Sequence, residues 1–212
     1  MSVLEISGYS DPPRIRNLSL TVDCGELVLV QGNAGSGKSA LFEAIAGLRR
    51  SPRGRIRIGG APACDQESRL RSAFVFQYPA YDPGRSSFNQ LVRRLCLYLR
   101  SSRDAHGMAV AWSRAWGVPI LARQSPDSLT TSQSRLLELA LVQILSWDLI
   151  VMDEPLQGLD PEVVERFLAL LVLKKESSAM LCFAQRGGQL SRLADRTIEL
   201  PQGATAEQRP EQ

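Results

Sequence analysis

The chain has 212 residues, 44% apolar and 22% charged, with a net charge of +3. That is ordinary globular composition, enough for one well-buried domain or one domain carrying a small insertion. A charge this small argues for neither nucleic acid nor anionic lipid, and no stretch reaches the roughly 18–20 uncharged apolar residues of a membrane helix.

Residues 3–7 alternate weakly and residues 18–22 alternate cleanly between apolar and polar, which predicts half-buried strands of an antiparallel element. Residues 26–31 form a continuous apolar run, as expected of a strand buried on both faces. After a glycine-rich stretch, Leu41, Ala44, Ile45 and Leu48 recur at helical spacing, with Gly47 as the stop. Residues 55–59 predict a short strand, and residues 73–76 a buried one ended by Gln77-Tyr78-Pro79. From about Ser86 to Leu145 the pattern is helical, with breaks at residues 117–119 and 125–127. Residues 147–152 and 179–183 predict two more buried strands, and residues 197–200 a last short one. Asp160 followed by Pro161 predicts a helix start, running to Lys174-Lys175. The polar residues 201–212 predict a flexible tail.

Buried strands alternating with helices predict an α/β fold with a parallel-sheet core. The helical run, about residues 83–145, reads as an insertion into that core, and residues 1–200 read as one unit. Met1 to Glu5 lack the basic-then-apolar build of a signal peptide, so a cytoplasmic chain is expected. Cys24, Cys64, Cys96 and Cys182 are far apart, and His106 is the sole histidine. A zinc site or disulfide framework is therefore not expected.

Gly32-Asn33-Ala34-Gly35-Ser36-Gly37-Lys38-Ser39 fits G-x-x-x-x-G-K-[ST] and stands between a buried strand and a helix, with Ala40 continuing that helix. In such a loop the backbone N–H groups curl around phosphate, the Lys38 ammonium reaches the β- and γ-phosphates, and the Ser39 hydroxyl ligates Mg²⁺. Asp153-Glu154 ends a buried strand, at the side of an α/β sheet that faces the ligand crevice. Asp153 is placed to hold Mg²⁺ and Glu154 to polarise an attacking water, so ATP and Mg²⁺ are the expected ligands.

These motifs, followed in order by Gln77, Leu129-Thr130-Thr131-Ser132-Gln133, Asp153-Glu154-Pro155 and Gly158-Leu159-Asp160, resemble the ATP-binding subunit of ABC transporters over residues 3–200. The resemblance implies a P-loop NTPase (RecA-like) core with an N-terminal antiparallel β subdomain and an inserted α-helical subdomain. It implies Gln77 as a Mg²⁺ and water contact, Tyr9 as the aromatic that stacks on adenine, and Asp160 as a residue working across a dimer interface. Asp160 also reads as a helix N-cap.

Two elements depart from the family pattern. Its Leu-Ser-Gly-Gly-Gln signature is here Leu129-Thr130-Thr131-Ser132-Gln133; a hydroxyl remains at Thr130, but both glycines are replaced. Glycine there allows close approach to a γ-phosphate and unusual φ, whereas Thr131 is β-branched. Thr130 and Gln133 also fit a capping box opening the next helix. Gln185 stands where the family places a histidine against the γ-phosphate, and His106 lies in the helical insertion. Losing one such donor typically costs on the order of 10²- to 10³-fold in rate, so slow hydrolysis is expected.

The resemblance implies a second ABC subunit, as homodimer or heterodimer, and a separate transmembrane permease that holds the chain at the cytoplasmic face of a cell membrane. An ABC ATPase that works an envelope complex without moving solute, or a largely structural ATP-binding subunit, remains open beside it. Arg49, Arg50, Arg53, Arg55 and Arg57 cluster without interleaved aromatics and predict a solvated turn and strand face, not a nucleic-acid site. Phe88, Leu91, Val92, Leu95 and Leu99 predict an amphipathic helix in the region where ABC proteins receive a permease's coupling helix.

Overall fold

A computed structural model describes residues 2–49, 53–78, 81–82, 84–118 and 125–200. The expectations for Arg50, Pro79, Pro119 and the 201–212 tail lie outside those residues.

Strands β1 (Ser2–Asp11) and β2 (Ile15–Asp23) pair antiparallel, and β4 (Arg53–Ile58) pairs with the other edge of β1. With the short β5 (Ala61–Pro62) they form a four-stranded sheet in the order β2-β1-β4-β5. Leu18, Leu20 and Val22 turn inward and their polar neighbours outward, the two-residue period of a half-buried sheet.

The second sheet is parallel, in the order β6-β7-β8-β3-β9, from β3 (Leu27–Gln31), β6 (Ser72–Val75), β7 (Leu149–Asp153), β8 (Ala179–Ala184) and β9 (Arg196–Glu199). Every residue of β3, β7 and β8 is buried, which is why these strands read as unbroken apolar runs. Alternate side chains serve two cores. Val28, Val30, Val151 and Phe183 meet α1 (Lys38–Ile45) and the antiparallel sheet, while Leu27, Leu29, Ile150 and Met152 meet α6 (Pro161–Lys175). The short helix α2 (Gln66–Leu70) has no apolar period to announce it; Asp65 caps it by accepting the Ser68 N–H at 3.0 Å.

Between β6 and β7 the chain runs through α3 (Ser87–Leu95), α4 (Ser102–Trp116) and α5 (Thr131–Ile144), opened by the side-chain caps Ser86, Ser101 and Thr130. They share a third core that includes Phe88, Leu91, Trp112 and Leu136. The amphipathic stretch at 88–99 is only partly helix: α3 stops at Leu95, and Leu99 still reaches the same core, its N–H bonded to the Leu95 carbonyl at 2.9 Å. Trp116 at the end of α4 carries the Arg166 guanidinium of α6 over its ring at 4.3 Å, tying the helical layer to the sheet. The antiparallel sheet, the parallel sheet and the intervening helices match the predicted P-loop NTPase class.

Candidate nucleotide and catalytic site

The carboxyl ends of β3, β7 and β8 open into one cleft of about 380 Å³. The loop after β3 lines one wall, with Asn33, Ala34, Gly35, Ser36, Gly37, Lys38, Ser39 and Ala40 all contributing. Gly32 precedes that wall: a Cβ there would lie 2.5 Å from Ser36 Oγ, so only glycine fits. Gly37 has φ 101°, and a Cβ on it would meet the Ile15 side chain at 3.0 Å; it sets the turn from which α1 starts. Lys38 Nζ donates to the carbonyls of Gly32 at 2.5 Å and Asn33 at 3.2 Å, which holds the ammonium over the loop. Ser36 Oγ is buried without a hydrogen-bond partner. An anion surrounded by that ammonium and the loop N–H groups suits the donor set.

Ser39 Oγ donates to Asp153 Oδ2 at 3.3 Å. Two hard oxygens this close are what a Mg²⁺ takes from a protein when phosphates and waters complete its shell. Among the described residues no group of three or more His, Cys, Asp or Glu could bind a metal alone. Burial pushes the Asp153 carboxyl above the ordinary carboxylate range, opposed by the Ser39 hydroxyl and the Lys38 charge. Burial likewise pushes Glu154 up; Lys38 opposes, Asp153 adds to the shift, and the Gln185 backbone N–H donates to its carboxylate. Glu154 has φ 47°, a left-handed conformation that costs a non-glycine residue about 1 kcal/mol or more. Its N–H is fixed on the Phe183 carbonyl at 2.9 Å.

Gln77 and Gln185 line the same cleft. Gln77 Nε2 donates to Gln157 Oε1 at 3.2 Å, a partner that carries no motif and that the sequence does not reveal. Another unforeseen member is Arg135, which grips the carbonyls of Asp153 and Glu154 at 2.9 and 2.8 Å.

Three predicted features need correction, at Tyr9, Ser132 and Asp160. Tyr9 is 0% exposed in the core beneath the loop, its hydroxyl 3.5 Å from the Ala40 carbonyl, so its ring has no free face for adenine. Burial pushes that phenol up to about 12. The side chain that stands over the loop from the β1–β2 turn is Arg14, which lines the cleft. Ser132 is 6% exposed, and its Oγ accepts the Asp160 N–H at 3.1 Å instead of facing outward. Gln133 makes the expected capping box: its Oε1 accepts the Thr130 N–H at 3.1 Å, and its own N–H donates to Thr130 Oγ1 at 3.2 Å. Asp160 stands at the N-cap position of α6, but its carboxylate makes no cap bond. Thr130 and Thr131 remain exposed at the start of α5; the Thr131 methyl fills the space beside Gly158, 3.1 Å from where a Cβ there would sit. Arg14→Ala is accordingly expected to weaken ATP binding about three- to tenfold, and Tyr9→Phe to leave it unchanged, by titration with a fluorescent ATP analogue.

A sequence profile described as ABC transporter matches residues 15–157, more than half of the chain. The General L-amino acid transport ATP-binding protein AapP of Rhizobium johnstonii is 27% identical over 94% of this chain and 80% of its own length. An ATP-binding subunit of an ABC transporter superposes with a TM-score of 0.85 at 22% identity, covering 95% of this chain and 87% of the other. The ATP-binding cassette MJ0796, solved as a post-hydrolysis dimer with ADP and Pi, superposes at 0.81 with 21% identity, over 94% and 95% of the two chains.

Proposed function

The chain belongs to the ABC transporter family as an ATP-binding, ATP-hydrolysing subunit, and on that footing we propose that it closes with a second cassette on Mg·ATP and thereby moves a separate membrane partner. The observation that carries this reading is the continuity between the cleft and a docking groove. Gln77, on the cleft wall, directly follows β6 and Phe76, and Phe76 lines a second hollow of about 460 Å³ between α2, α3, α5 and β6. That groove has an apolar floor and an unusually apolar rim: Leu70 is 48% exposed, Phe76 38% and Leu97 69%. Arg69, Arg94 and Glu138 stand among them. A helix with one apolar face from a transmembrane permease fits such a surface. A shift of that helix would press on the residue adjoining Gln77.

In the cleft, the loop amides and Lys38 bind the β- and γ-phosphates; Ser39 and Asp153 would hold Mg²⁺, which when bound would neutralise phosphate charge. Glu154 accepts the proton of the attacking water, and the neighbouring Gln185 side chain donates toward the transferred γ-phosphoryl group. Thr130 at the start of α5 faces outward, toward the nucleotide of the second cassette. Because the exposed, β-branched Thr131 stands where the signature has a glycine, a partner cassette with its own Gly-Gly signature would serve this chain's ATP better than a second copy. In this reading the partner holds the chain at the cytoplasmic face of the membrane; no described helix is long and apolar enough to cross one. What is transported depends on residues of that partner.

Purification of the tagged chain from detergent-solubilised membranes tests this. A multispanning membrane protein is expected to come down with the native chain and to be lost with Leu70→Asp/Leu97→Asp, since charges buried in an apolar interface typically cost 2 kcal/mol or more, roughly thirtyfold in affinity. Recovery of the chain only on ribosomes or DNA would exclude the membrane role.

A further inference from the structure

Arg135, on the second turn of α5, is 3% exposed. Its side chain donates to five backbone carbonyls. Nε reaches Pro155 at 3.3 Å, Nη1 reaches Phe76 at 2.6 Å and Gln77 at 3.3 Å, and Nη2 reaches Asp153 at 2.9 Å and Glu154 at 2.8 Å. A guanidinium has five N–H donors in a fixed plane, so the complement is filled. Stability alone does not account for it. A buried cation is costly to desolvate, and an apolar side chain of similar volume commonly serves a core as well or better.

The five carbonyls belong to two segments that the reading above makes functional. Three of them, at residues 153–155, form the turn that holds Glu154 at φ 47°. The other two lead into the Gln77 side chain that meets Gln157. The helix carrying Arg135 begins at Thr130 and holds the Asp160 N–H through Ser132 Oγ. One planar group therefore fixes the spacing of three parts of the site from the main-chain side, where no substrate contact is possible.

We propose that Arg135 is a positioning residue for ATP hydrolysis: its guanidinium locks the left-handed Glu154 turn and the Phe76–Gln77 segment in register with the start of α5. This rests on Glu154 being the general base. Arg135→Lys keeps the charge but has three donors on a flexible stem and cannot reproduce the fork. Misplacing a reacting group by about 1 Å can cost up to 10²-fold in rate.

The test is steady-state phosphate release over a range of Mg·ATP by the chain assembled with its partner cassette, alongside ATP titration and thermal melts. Arg135→Lys is expected to bind ATP within about threefold of the native chain and to hydrolyse it about 10- to 100-fold more slowly, so that kcat falls while KM holds. In a Glu154→Gln background the same change is expected to have less than a threefold further effect, because positioning acts through that carboxylate. Arg135→Met, which removes the charge and refills the volume, is expected to show the same kcat loss. Native kcat in either folded variant, or a full additive loss in the Glu154→Gln background, overturns the proposal. So does failure of both variants to fold, which would assign the guanidinium to the fold alone. If Glu154→Gln itself turns over normally, the reading beneath the proposal is what fails, and that single variant reports it separately.

Discussion

Glu154→Gln is expected to slow ATP turnover by about 10²- to 10⁴-fold while leaving ATP affinity within about threefold. The carboxylate sits at the end of β7 in the same cleft as Lys38, Ser39 and Gln185. Burial and the adjacent Asp153 both push its pKa up, which strengthens it as a base, while Lys38 and the Gln185 N–H restrain the shift. Gln keeps the volume and can still accept from the Gln185 N–H, but its amide cannot take a proton. The left-handed backbone is held by the Phe183 and Arg135 bonds, which the substitution does not touch. Lys38→Ala is the complement: it removes the ammonium poised over the loop, so binding itself should go. Phosphate release and nucleotide titration on both variants separate the roles. Unchanged phosphate release from Glu154→Gln, in the chain assembled with its partners, would remove that residue from catalysis.

Much of this site is written in sequence because its parts are contiguous. The loop at 32–40 needs glycine at defined positions, and Asp153-Glu154 needs only a buried strand to deliver it. The core strands were equally legible, since residues buried on both faces leave no alternative to an apolar run. What stayed hidden is either long-range or decided by which way one side chain turns. Tyr9 has the chemistry for adenine, but the pairing of Tyr9 with Leu18 turns its ring into the core and leaves Arg14 at the cleft. Ser132 stands where the resemblance puts a phosphate contact, yet the closeness of residues 132 and 160, set by tertiary packing, gives its hydroxyl a backbone partner instead. Arg135 reads as an ordinary helix arginine, because its five acceptors are main-chain atoms distant in sequence. Helix α3 ends sooner than its apolar spacing suggests, since the turn after Leu95 brings Leu99 onto the same face.

Gln185→His is expected to raise turnover by about 10²-fold. Gln185 directly follows Ala184, the last residue of β8, and its backbone is already bonded to the Glu154 carboxylate, so position is not what this site lacks. Its side chain is exposed on the cleft wall, with open space for an imidazole. A glutamine amide offers a neutral hydrogen bond, whereas a histidine there can be charged and can meet developing negative charge on the transferred phosphoryl group. Restoring one preorganised donor to such a transition state is worth on the order of 10²- to 10³-fold, and the lower end is expected because the side chain is solvent-accessible. The same measurement on Thr131→Gly/Ser132→Gly separates two sources of slowness. In the dimer proposed above the start of α5 faces the nucleotide of the opposite subunit, so restoring the glycines should speed a homodimer and leave this chain's own site unchanged beside a partner cassette with an intact signature. Gln185→His acts within the chain's own cleft and should raise the rate in either assembly. If the histidine variant gains nothing while the glycine pair does, the limiting defect is the Thr131-Ser132 surface, and the assignment of slow turnover to Gln185 is wrong.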